Sequence, residues 1–177
     1  MTGWQHRYLA VAMLCALMTT ARATAVTTSV AVKVIHNTCT LQTAETLVAL
    51  DTVGAASIRQ GADIGGKAFF VTLKDCGADA KNVEVTVAGE ADPTNANAFK
   101  NTSTASSAAA GVGLSLYADD GITTTLMKPD GTGQVVQQAL RPGTDNTLHF
   151  RAAYTGTGPA VQAGDFLSSI HLILGYE

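Results

Sequence analysis

Charge and aromatic rings are both scarce in this sequence: Asp, Glu, Lys and Arg together make up 14% of its 177 residues, and Phe, Trp and Tyr 6%. So few charges leave little material for amphipathic helices with salt-bridged outer faces, while the predominance of Ala, Thr, Ser, Val and Gly favours short strands joined by polar turns. The net charge is -3 and no run of five or more like charges occurs. No basic stripe is therefore available to neutralise a row of phosphates, and nucleic acid is disfavoured as a partner. No Gly-x-Ser-x-Gly elbow is present, which removes the sequence basis for a hydrolase. Gly61-Ala62-Asp63-Ile64-Gly65-Gly66 is followed by Lys67-Ala68 and not by Lys-Ser or Lys-Thr, so it does not complete a phosphate-cradling motif and reads as a flexible loop. His149 and His171 have no second His or Cys nearby in sequence and His36 has only Cys39, and all three read as surface or half-buried residues. No catalytic residue, metal site or cofactor is expected.

The N-terminus carries His6 and Arg7, an apolar run from Leu9 to Met18, then Ala21-Arg22-Ala23. This is the order of a secretory signal, with cleavage expected after Ala23. The apolar run falls well short of the roughly twenty residues that a membrane-spanning helix needs, so no integral span is expected in the mature chain. Cys15 lies inside the run and leaves with it, and Ala12-Met13-Leu14 before it is not a lipoprotein cleavage box. Cys39 and Cys76 remain, an even number for an oxidising compartment, and a single disulfide is the simple reading. A metal or redox pair is the competing reading, with neither Cys-x-x-Cys spacing nor neighbouring histidines to support it. Closing this loop contributes about 4 kcal/mol on the chain-entropy model.

From Val26 to Val34 the residues Val26, Val30, Val32 and Val34 share one parity with Thr28, which is strand periodicity. Further strands are expected over 46–53, 67–74, 82–88, 112–118, 122–127, 135–140 and 147–154, a spacing that suggests a sandwich. Asp119-Asp120-Gly121, Pro129-Asp130-Gly131 and Arg141-Pro142-Gly143 are turn signals. Residues 91–110 have no period and few large apolar groups, and read as a surface loop. Asn101-Thr102-Ser103 fits a glycosylation acceptor pattern, which by chance alone is a common occurrence. In the last segment Phe166, Ile170, Leu172, Leu174 and Tyr176 fall on one parity, with Leu167, Ser169, His171, Ile173 and Gly175 on the other. The final strand is expected to run to Glu177 with no sequence after it to supply the neighbour that a seven-stranded sandwich needs.

On these residues the sequence resembles the type 1 pilin family, whose members are assembled by periplasmic chaperones and outer-membrane ushers. The resemblance rests on the signal segment, Cys39, Leu73-Lys74-Asp75-Cys76, Lys128-Pro129-Asp130-Gly131 and the stretch from Thr147 to Gly156. It also rests on a closing pattern of Gly164, fourteenth from the end, the alternating Ile170, Leu172 and Leu174, and the penultimate Tyr176. It implies an all-β fold, an incomplete immunoglobulin-like sandwich that lacks its final strand and carries one disulfide. The expected organisation is a signal peptide over 1–23, an N-terminal donor-strand extension over 24–31, and a pilin domain over 32–177.

The function implied is that of a structural fimbrial subunit that polymerises by donor-strand exchange and supports cell adhesion. Its partners would be a periplasmic fimbrial chaperone, an outer-membrane usher and neighbouring pilin subunits, along a route through the periplasm to the cell-surface fimbrium. Gly164, Phe166, Ile170, Leu172, Leu174, Tyr176 and Glu177 would form the groove-edge strand that the chaperone recognises, with the Glu177 carboxylate anchored by chaperone basic residues. Val26, Thr28 and Val30 would be the donor set. Residues 24–38 contain no glycine and are short beside the extension of many major pilins, which leaves a minor or adaptor role open. The alternative from another class is a secreted, monomeric β-sandwich binding module of carbohydrate-binding type, which would fold without a chaperone.

Overall fold

The computed structural model of the chain describes residues 38–132 and 135–177. The expected signal segment 1–23, the extension 24–31 with Val26, Thr28 and Val30, the strand expected from Val26 to Val34, and His36 lie outside the described residues. Among the described residues the chain is all-β: β1 (Thr40–Leu41), a 3-10 turn (Ala55–Ser57), β2 (Asp63–Lys74), β3 (Asn82–Gly89), β4 (Ala91–Asp92), β5 (Asn95–Lys100), β6 (Val112–Asp119), β7 (Thr124–Met127), β8 (Val136–Ala139), β9 (Asn146–Gly156) and β10 (Ile170–Tyr176). The larger sheet runs β1-β2-β9-β6-β5-β4, with β7 also paired to β6, and the smaller runs β10-β3-β8.

The two sheets exist because period-two apolar rows need an opposing face to bury against. On β3, Val83, Val85 and Val87 are buried while Glu84 and Thr86 between them are half-exposed. On β9 the row is Leu148, Phe150 and Ala152, on β6 it is Val112, Leu114, Leu116 and Ala118, and together with Leu73, Phe99, Met127 and Leu140 they make the core. Phe69 stacks on Phe150 with ring centroids 5.4 Å apart. The expected disulfide is in place between Cys39 and Cys76. Its buried Cys76 sulfur accepts a 3.4 Å bond from Asn146 Nδ2, and the same amide group closes the Arg141-Pro142-Gly143 turn through Arg141 and Thr144. The other two turns are also as expected: Asp120 accepts from the backbone of Ile122 and Thr123, and Asp130 from that of Thr132, which holds both carboxyls below their ordinary range.

Four expectations are corrected. Residues 91–110 are not all surface loop: β4 and β5 pair across a turn in which buried Asp92 caps Thr94 and Asn95, and this delivers Ala98 and Phe99 into the core at 0% exposure. Residues 61–66 are not a flexible loop. They form a tight turn and the start of β2, where a bulge between Ile64 and Lys67 places Gly65 at φ 65°, a conformation that favours glycine. The expected strand over 46–53 makes no ladder among the described residues. The final strand begins at Ile170 and not at Phe166, because residues 164–167 are bound to the 101–109 loop instead.

Candidate functional site

The C-terminal strand is the element to which the sequence assigned a role, and its surroundings can be built residue by residue. β10 pairs with β3 along its whole length, Tyr176 opposite Val83, Leu174 opposite Val85, Leu172 opposite Val87 and Ile170 opposite Gly89. Each of these β10 side chains points to the core side and is half-buried, while the valines opposite are fully covered. His171, Ile173 and Gly175 face outward, with Ile173 53% exposed.

The hydrogen bonds fix the phase of the other edge. Asn82 and Glu177 exchange both backbone bonds, 3.0 and 3.1 Å, so this is a hydrogen-bonded pair of the antiparallel ladder. The alternation then makes Gly175, Ile173 and His171 the residues bonded to β3. Tyr176, Leu174, Leu172 and Ile170 turn their N–H and C=O groups the other way, to an edge on which no strand pairs among the described residues. The four residues that offer apolar side chains to the interior are thus the four that offer backbone bonds to an incoming strand, over about 20 Å at roughly 3.3 Å per residue.

Across the interior stands β2, covered on its outer edge by β1 only at Lys74 and Leu73. Its inward residues Phe69 and Val71 are half-buried, whereas Leu73, within the part that β1 covers, is at 0% exposure. β2 and β10 run in the same direction. Ile64 pairs with Tyr154, whose ring meets Phe166 edge-on at 5.3 Å, and at the other end β1 follows Cys39, whose backbone lies close enough to the Tyr176 phenol to act on its ionisation. Phe69, Val71, Phe166, Ile170, Leu172 and Leu174 all pack half-buried against the same core, and the space between the two strand edges that they mark is the candidate slot. Burial raises the Tyr176 phenol above its ordinary range, against the opposing effect of the Cys39 backbone, so the ring end stays protonated and neutral.

Gly164, Phe166 and Glu177 act at the ends of this edge. A β-carbon on Gly164 would sit 2.0 Å from the Ser107 carbonyl oxygen and 2.6 Å from the Ala109 nitrogen, so only glycine lets the chain cross there. The Glu177 main chain is pinned by Lys81 and Asn82 N–H, which leaves its side chain exposed.

The residue that the sequence reading missed is Asn101. Its Nδ2 donates to the Ala109 and Asp165 carbonyls and its Oδ1 accepts from the Leu167 and Ser103 N–H, all within 2.9–3.1 Å. It therefore ties the 101–109 loop to the lead-in to β10, two of its amide bonds reaching Asp165 and Leu167 and two closing on Ser103 and Ala109 within the loop, and in the sequence only its place in an Asn-x-Ser pattern singles it out. Asn101→Asp replaces two donors by acceptors facing two carbonyls. It is expected to destabilise the fold by about 2 kcal/mol, read as a lowered urea midpoint.

The chain is similar to several known proteins. A family model described as "Fimbrial protein" matches residues 24–177. The uncharacterized fimbrial-like protein SfmA of Escherichia coli K12 is 38% identical over 111 residues, 62% of this chain and 59% of that protein, so the chain spans about three fifths of that relative's length. The laminin-binding fimbrial subunit ElfA of E. coli O157:H7 is 39% identical over 134 residues, 72% of this chain and 71% of that protein. A chain from a solved chaperone-usher pilus superposes with a TM-score of 0.62, covering 87% of this chain and 96% of that one, and at 16% identity the likeness is one of fold.

Proposed function

The chain belongs to the fimbrial protein family, and on that footing we propose that it is a structural subunit of a chaperone-usher fimbria that polymerises by donor-strand exchange. The observation that carries the reading is β10: among the described residues it is paired on one edge, and its four inward side chains are left half-buried. Side chains of this size forgo part of the roughly 1.5–3 kcal/mol each that full burial yields, and an open strand edge invites association. A strand laid between β10 and β2 corrects both at once, with main-chain bonds giving affinity and alternate side chains giving register.

In this reading a periplasmic chaperone supplies the strand first, aided by basic residues at the Glu177 carboxylate, and the extension of a neighbouring subunit replaces it at the outer-membrane usher. Residues 1–23 direct export and are removed, residues 24–31 with Val26, Thr28 and Val30 are the donor, and residues 32–177 form the pilin domain that is carried to the cell-surface fimbrium. The chain in this role is not an enzyme. Among the described residues no helix is long and apolar enough to cross a membrane.

The test is to express the exported chain with and without a fimbrial chaperone and to follow size-exclusion chromatography and intact mass. A chaperone-dependent one-to-one complex is expected. A monomer that is stable without the chaperone and indifferent to added strand peptides would overturn the reading in favour of a complete binding module.

A further inference from the structure

Residues 46–53 combine the alternation of a strand with the absence of a ladder. Leu47 is 92% exposed, Val48 half-buried, Ala49 exposed and Leu50 half-buried against the core. Yet no strand pairs with them among the described residues. Three separate contacts say where the segment lies. Lys67 stands on the same parity of β2 as Phe69 and Val71, and its Nζ donates 2.5 Å to the Ala49 carbonyl and lies 4.0 Å from the Asp51 carboxylate. Asp51 is close enough to Tyr154 to add to the burial that raises its phenol above the ordinary range. Val53 and the Tyr154 ring both close over Gly65, where a β-carbon would lie 3.0 Å from Val53 Cγ1 and 3.3 Å from Tyr154 Cδ2. These contacts lay the segment beside the start of β2 and Tyr154, so that Leu50, which packs against the core, falls toward the Tyr154–Phe166 end of the slot, the end at which β10 begins.

We infer that Leu50, tethered by Lys67, is a built-in plug at that end of the slot, and that its displacement limits the rate at which a strand enters. This rests on the donor-strand reading above and adds a gate to it. Half-burial makes the plug weak enough to leave, since only part of a leucine's transfer free energy holds it. The tether is weak for the same reason: the Lys67 and Asp51 side chains are 44% and 88% exposed, so the ion pair is largely screened and the single bond to the Ala49 carbonyl does most of the holding. Release of Ala49–Asp51 would free an already extended, alternating segment to move aside or to line the strand that replaces it.

The experiment mixes the exported chain, purified as its complex with the fimbrial chaperone, with a labelled synthetic peptide of residues 24–38 and follows uptake by fluorescence anisotropy. Leu50→Ala is expected to accelerate uptake about five- to tenfold, and Lys67→Met, which keeps the apolar stem and removes the donor, about two- to fivefold. Leu47→Ala, on the same segment but pointing to solvent, should take up peptide at the parent rate. Uptake by the parent chain with Leu50→Ala and Lys67→Met no faster than it overturns the plug and leaves the donor-strand reading standing. Absence of uptake by every form overturns both.

Discussion

Leu174→Ala together with Tyr176→Ala is expected to weaken binding of a chaperone strand about a hundredfold and to deplete the exported chain from the periplasm. The size follows from burial. Truncating a fully buried large side chain costs about 2–5 kcal/mol, and half-burial scales that to roughly half for each, which together comes to about two factors of ten in affinity. Both residues also present N–H and C=O to the open edge, so the loss falls on the strand that an incoming partner must meet. Ile173→Ala, on the residue just before Leu174 and 53% exposed on the outward face, serves as the control. The readout is the amount of chain that co-purifies with tagged chaperone. Equal recovery of the double variant and the parent would remove β10 from the binding role.

Much of the sandwich is written in its alternation. Val83, Val85 and Val87, and Leu148, Phe150 and Ala152, announce strands because each row is long enough to dominate its own face. β5 is different: its sequence Asn-Ala-Asn-Ala-Phe-Lys has one large apolar residue, and what makes it a strand is the distant pairing of Phe99 with Leu114 and the Asp92 turn before it. Tertiary pairing overrides weak local preference there. The reverse holds at 46–53, where the alternation is genuine but a ladder needs a partner edge that no local pattern encodes. The candidate site divides in the same way. The β10 row was readable by parity, and Gly164 only through the resemblance. Asn101 was not readable at all, because four hydrogen bonds to residues up to 66 positions away leave no mark on the sequence around it.

Replacing both cysteines by serine is expected to have the largest effect on stability of any change considered. The bond closes a separation of 37 residues, for which the chain-entropy model gives about 4 kcal/mol, against the roughly 5–15 kcal/mol by which a whole domain is stable. Its position adds a local consequence. Cys39 directly precedes β1 and its backbone lies near the Tyr176 phenol, while Cys76 follows β2 and receives the Asn146 amide. Without the bond, β1 is left with two residues of pairing at Lys74 and Leu73, too few to hold the start of the domain against the end of the slot. The double variant should therefore show a lower urea midpoint, and in hydrogen exchange the loss of protection should begin at β1 and Glu177 before it reaches Val83 and Val85 on β3. The single variants should behave like the double, since either one removes the same bond. A midpoint equal to that of the parent, with β1 still protected, would mean that packing around Leu73 closes this end of the sandwich without help from the disulfide.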